Sequence, residues 1–110
     1  MRIAVIGDLH YMNSLPAISE DRQGYFADVF LHRAIERLNK FIKPDFVLLC
    51  GDLVDNPHSW QAVSKLQIIK SIMSKLKMPS VVIPGNHDPA PSTFFSVFDK
   101  PTDYIDIKNV

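Results

Sequence analysis

Three times this chain ends a short apolar run with a glycine and then presents a side chain able to coordinate a metal. The stretches are "RIAVIGDLH" (Arg2 to His10), "FVLLCGDLVDN" (Phe46 to Asn56) and "VVIPGNHDP" (Val81 to Pro89). Of the four glycines in the chain, Gly7, Gly51 and Gly85 directly precede Asp8, Asp52 and Asn86. Glycine permits a positive φ or the close approach of backbone to a neighbour. One Gly-Asp after a strand is an ordinary turn. Three of them in 110 residues call for a fold that carries three strand ends to a common place.

The segments between the three runs supply the means. A polar loop covers roughly residues 11 to 25, and a helical pattern follows. Phe26, Phe30, Ala34, Leu38 and Phe41 recur at intervals of three or four, with Arg33, Glu36, Arg37 and Lys40 on the other side, and Pro44 ends it. The second connection has Ser59 as N-cap after Pro57, an apolar stripe of Val63, Leu66, Ile69, Met73 and Leu76, and Pro79 as terminator. The order is β-α-β-α-β. The strand runs are nearly continuously apolar, the pattern of parallel strands covered on both faces. Right-handed crossovers then point all three strands the same way and place the three Gly-polar turns outside their carboxyl ends, where open α/β sheets bind ligands. Beyond Asp88, "STFFSVFDK" reads as a short helix. "DYIDIKNV" reads as the start of a strand, with Tyr104, Ile105, Ile107 and Val110 partly alternating.

Composition narrows the partners. The length allows one small domain. A net charge of zero gives no electrostatic case for nucleic acid or an anionic membrane. No apolar stretch approaches the roughly 20 residues that span a bilayer, and "IAVIG" is too short for a signal-peptide core. Cys50 is alone, so no disulfide framework exists, and a reducing cytoplasm is the expected home. It reads as a small hydrophobe at a strand end. No turn has the Gly-rich phosphate loop of a nucleotide-binding α/β domain.

Asp, His and Asn together make a mixed oxygen and nitrogen donor set. Carboxylate and amide oxygens suit Mg²⁺ and Mn²⁺, and imidazole draws the preference toward Mn, Fe, Co, Ni or Zn. Asp8 and His10 stand two apart, so an extended segment would turn both to one side. Asp52, placed between them and Asn86, could bridge two cations about 3.5–4 Å apart. His87 points away from Asn86 and is free to act as an acid.

"GDLH", "GDLVDN" and "GNHD" resemble the first three signature blocks of the calcineurin-like metallophosphoesterases, in their order and spacing. The resemblance runs from the start of the chain to about Asp88. It implies one half of a four-layer α/β-β/α sandwich, and a hydrolase in which metal-bound hydroxide attacks phosphorus. Asp8 and His10 would bind the first metal, Asp52 would bridge both, and Asn86 would bind the second and contact the phosphate. His87 would protonate the leaving group and touch the substrate, with Asp55 as its orienting carboxylate. The cofactors implied are two divalent ions in the complete enzyme, Mn²⁺, Fe²⁺, Zn²⁺ or Mg²⁺.

Departures from the family pattern qualify these expectations. Its serine/threonine protein phosphatases carry Arg-Gly after the second block and Glu after the third-block His. "VDNP" and "GNHDP" are closer to the phosphodiesterase-like or small-molecule branch. The family also supplies downstream histidines, whereas this chain has only His10, His32, His58 and His87. His32 falls mid-helix, and His58 lies in a loop within reach of the cleft. The chain is therefore expected to be an N-terminal part of a larger esterase. Its open sheet face would associate with the missing half or with a second copy. The alternative is a catalytically incompetent metal-binding or interaction module that keeps the fold.

Overall fold

In the computed structural model, residues 1–11, 27–58 and 61–100 are described. The three apolar runs form β1 (Ile3–Gly7), β2 (Phe46–Cys50) and β3 (Ser80–Ile83), all parallel and side by side in that order. The start of the register is pinned by a reciprocal pair. Asp45 N–H donates to the Arg2 carbonyl at 2.9 Å, and Arg2 N–H donates to the Asp45 carboxylate at 2.8 Å. From there Ile3 faces Phe46 and Gly7 faces Cys50, and Cys50 in turn faces Ile83. The three strand ends lie in one row, as the pattern of the runs requires.

The connections are α1 (Ala27–Arg37) and α2 (Ala62–Met73), followed after β3 by the short α3 (Pro91–Val97). Two crossovers of the same hand that step in the same direction place both helices on one face of the sheet. The burial alternation agrees. Val47, Leu49 and Val82 are buried, with Ala4 and Ile6 packed against the same core. Ile3, Val5 and Ile83 are exposed on the opposite face, Val5 at 63%. Among the described residues only one face is covered, where the apolar runs alone suggest cover on both and the family resemblance implies an open face. Continuous apolar runs arise because both faces are apolar, and the helices of these two crossovers reach only one of them.

The helix patterns are right in existence and shifted in register. On α1 the buried residues are Ala27, Leu31 and Ile35, continued by Leu38, whereas Phe30 and Phe41 are exposed. Two apolar stripes one residue apart share this helix, and the aliphatic one meets the sheet. Phe26 lies outside the described residues. After Arg37 the chain widens into a π-helical turn, Leu38–Ile42, closed by Lys43 N–H on the Leu38 carbonyl at 2.7 Å with Lys43 at φ 48°. Pro44 follows.

On α2 the buried face is Ala62, Lys65, Leu66, Ile69, Ile72 and Met73, and Val63 is exposed. The helix stops at Met73, before the expected end at Pro79, and Leu76 reaches the core from the turn that follows. Ser59 and the C-terminal "DYIDIKNV" lie outside the described residues. The "STFFSVFDK" helix is present as α3, which begins with Pro91 at a position that needs no N–H and buries Phe94 and Val97, with Phe98 just beyond.

Candidate metal centre

The row of strand ends continues past the sheet. Asp8 N–H donates to the Gly51 carbonyl at 3.2 Å, His10 N–H to Asp52 at 2.9 Å and Tyr11 N–H to Leu53 at 2.9 Å. Gly51 N–H donates to Ile83 at 2.8 Å. The first two blocks therefore run on together, with Tyr11 bridged to Val54. They are not extended. Asp8, His10 and Asp52 have φ of 57°, 47° and 55°, in the left-handed region that Asp and His tolerate better than most residues. Asp8 and His10 thus converge through a kinked backbone and not through strand alternation, as the sequence pattern suggests. Three side chains with metal-binding chemistry sit on left-handed residues, and stored backbone strain of this kind concentrates at functional sites.

The third block is locked against the second by backbone packing. A Cβ on Gly51 would meet Gly85 Cα and N at 2.5 Å, and one on Gly85 would run into the Asp52 carboxylate and meet the Asp52 N at 2.5 Å. No side chain fits between them. The His87 N–H donates to Asp52 Oδ1 at 2.8 Å. The Asn86 amide nitrogen, in the orientation that pairs donor with acceptor, reaches both Asp52 oxygens at 2.9 and 3.1 Å.

Asp88 braces the same junction. Its buried carboxylate accepts the N–H groups of Leu53 at 2.7 Å, Val54 at 3.2 Å and Gly85 at 2.8 Å. Its role was not legible from chemistry alone, but an Asp three residues after a turn glycine is placed to accept that glycine's N–H. Lys65, buried on α2, was likewise missed. Its position one helical turn after Ala62 is the signal that it faces inward. Burial lowers its pKa from the ordinary 10.5, opposed by the charge of Asp55.

These constraints bring Asp8, His10 and Asp52 together. One ligand atom from each lies within 4.8 Å of the others. The His10 Nε2 is 4.0 Å from the Asp8 carboxylate, which is itself 76% exposed. Two oxygens and an imidazole nitrogen, opening to solvent that can complete the shell, fit one divalent cation. Behind them, His10 Nδ1 lies 3.4 Å from Asp55 Oδ1. His87 stands edge-on to His10, with ring centroids 5.0 Å apart, and its Nδ1 lies 3.2 Å from the Asp55 backbone oxygen. The Asp55 carboxylate thus approaches His10, while the contact to His87 comes from the Asp55 carbonyl. Asn86 and His58 line a groove of about 470 Å³ beside this cluster, walled by Pro57, Val63, Pro89 and Ala90. His32 is distant from it and pairs with Lys75 and Glu36 between α1 and α2. Cys50 is half-buried and free.

The profile of the calcineurin-like phosphoesterases matches residues 1–109. The chain belongs to that family. The chain is also similar, at 34% identity over 93 residues, to an uncharacterized protein of Schizosaccharomyces pombe. The match takes in 80% of this chain and 18% of the yeast protein, so the chain spans less than a fifth of that relative's length. Calcineurin-like phosphoesterases are hydrolases of phosphoric esters that bind divalent metals, and the Asp8, His10 and Asp52 group is a candidate for that metal in this member. No helix among the described residues is long and apolar enough to cross a membrane.

Proposed function

We propose that this chain carries the first part of a metal-dependent phosphoric ester hydrolase site and belongs to a longer catalytic domain. The supporting observation is the convergence of Asp8, His10 and Asp52 at the carboxyl edge of the sheet in a member of this family. In this reading the three side chains hold a divalent cation, Mn²⁺, Fe²⁺, Zn²⁺ or Mg²⁺. Asp52 and Asn86 begin a second seat beside it. A cation held there supplies activation of water and neutralises charge on the phosphate. Asn86 offers its carboxamide to a phosphate oxygen. His87, tethered through Nδ1 to the Asp55 carbonyl, keeps Nε2 for a proton handed to the leaving oxygen. The substrate is a phosphodiester or another small phosphoester. The uncovered sheet face is a surface for further protein, either the rest of the domain or a second copy.

One observation favours a second reading, metal binding without turnover. Among the described residues, the group of His, Cys, Asp or Glu side chains that could hold a cation is Asp8, His10 and Asp52, and a second cation with only Asp52 and Asn86 as protein ligands would be held weakly. The deciding experiment is Mn²⁺-dependent hydrolysis of a chromogenic phosphodiester by the chain, with Asp52→Asn as control. Turnover that falls by about 100-fold or more in the variant, the scale of losing a main electrostatic contributor, supports the hydrolase. A folded, Mn²⁺-loaded chain with no turnover supports the binding module. His87→Ala tests the acid separately. It should cost most with poor leaving groups, and equal losses across a leaving-group series would remove His87 from that role.

A further inference from the structure

His10 has two ring nitrogens in unlike surroundings. Nε2 opens toward Asp8. Among the described residues, Nδ1 is buried and has no hydrogen-bond partner, with the Asp55 carboxylate 3.4 Å away and just short of a formed bond. A buried nitrogen left without a partner is unfavourable, so a small rotation of the ring that completes the bond to Asp55 is favoured. An ionised carboxylate only accepts. The proton of a neutral His10 that bonds Asp55 must then sit on Nδ1, and the Nε2 lone pair is left facing Asp8 and Asp52. Asp55 is well placed to stay fixed. Its N–H donates to Tyr11 at 3.2 Å, and its carbonyl meets His87.

We propose that Asp55 is a positioning residue for both histidines of the site: its carboxylate fixes the Nδ1–H tautomer of His10 and aims Nε2 at the cation, and its carbonyl separately anchors His87. This differs from the role the family resemblance implies, in which the carboxylate serves His87. It rests on the reading of Asp8, His10 and Asp52 as a metal centre. A carboxylate behind a ligating imidazole fixes ring orientation and raises ligand basicity, and losing one weakens metal affinity about 10- to 100-fold.

Ring-nitrogen NMR of the metal-free chain, in mildly alkaline solution, reads the tautomer directly, and Mn²⁺ titration reads the affinity. In the unsubstituted chain His10 should show the Nδ1–H pattern. Asp55→Ala should abolish that preference and weaken Mn²⁺ binding about 10- to 100-fold, with the His87 ring signals unchanged because a backbone carbonyl survives the substitution. Asp55→Asn keeps the side chain's shape and carries the test if Asp55→Ala does not fold. It should weaken Mn²⁺ binding in the same direction. An Nε2–H pattern at His10 in the unsubstituted chain overturns the proposal. So does a variant that leaves His10 and the affinity unchanged, or one that shifts His87 instead. If the unsubstituted chain binds no Mn²⁺, the metal-centre reading fails, and the tautomer still decides the role of Asp55.

Discussion

At the scale of single residues, the site depends on two backbones touching where a side chain would separate them. Gly85→Ala places a methyl group against Asp52 N and its carboxylate. Overpacking of this kind costs about 1–3 kcal/mol, and relief requires moving Asp52, so Mn²⁺ affinity should fall as well. Urea unfolding and metal titration of the variant check both. Gly7→Ala, whose nearest contact is the Cys50 carbonyl at 3.1 Å, should cost less. Lys65 gives a pH dependence. Its pKa in the folded chain is lowered by burial, against the opposing charge of Asp55. Between that lowered value and the ordinary 10.5 the unfolded chain binds more protons, so stability rises with pH across the window. Below the window Lys65 is charged in both states and its desolvation penalty is fully felt. Lys65→Met should remove this rise, read as a flattened urea midpoint against pH on the alkaline side.

At the scale of elements, the strands were legible because each apolar run ends at a glycine, and their parallel order followed from the helical lengths between them. The helices were legible in place but not in face. Phe30 and Phe41 look like the strongest core signal on α1, yet Leu31 and Ile35 are the side chains buried in the common core. Leu31→Ala, at a residue 1% exposed, should therefore cost about 2–5 kcal/mol. Phe41→Ala, at a residue 78% exposed, should stay within about 0.5 kcal/mol. Denaturant midpoints of the two variants separate the alternative faces. In the candidate metal centre, residue types and spacing pointed to Asp8, His10 and Asp52, which the structure brings together, and to Asn86 and His87, which contact Asp52. What spacing could not convey is the left-handed backbone at Asp8, His10 and Asp52, on which the convergence of the three side chains rests. Nor could spacing reveal which oxygen of Asp55 meets which histidine.

At the scale of the molecule, the fold leaves an imbalance. Two crossovers stepping the same way put α1 and α2 on one side of the sheet, and Ile3, Val5 and Ile83 stay exposed on the other among the described residues. Leu48 and Val81, aligned with them by the parallel register, are only half-buried. A contiguous apolar sheet face marks a contact surface or drives aggregation. It is built on the same strands whose carboxyl ends carry the candidate metal centre. Whatever covers it is therefore anchored to the elements that present Asp8 and Asp52. The isolated 110-residue chain should accordingly self-associate through this face. Val5→Lys places a charge near its middle, where burial without a partner is costly. The variant should weaken association by about tenfold or more, a change of about 1.4 kcal/mol, while leaving helix content intact. Sedimentation velocity across a concentration series, with circular dichroism as the folding control, makes the comparison. A chain that stays monomeric without the substitution would overturn the prediction.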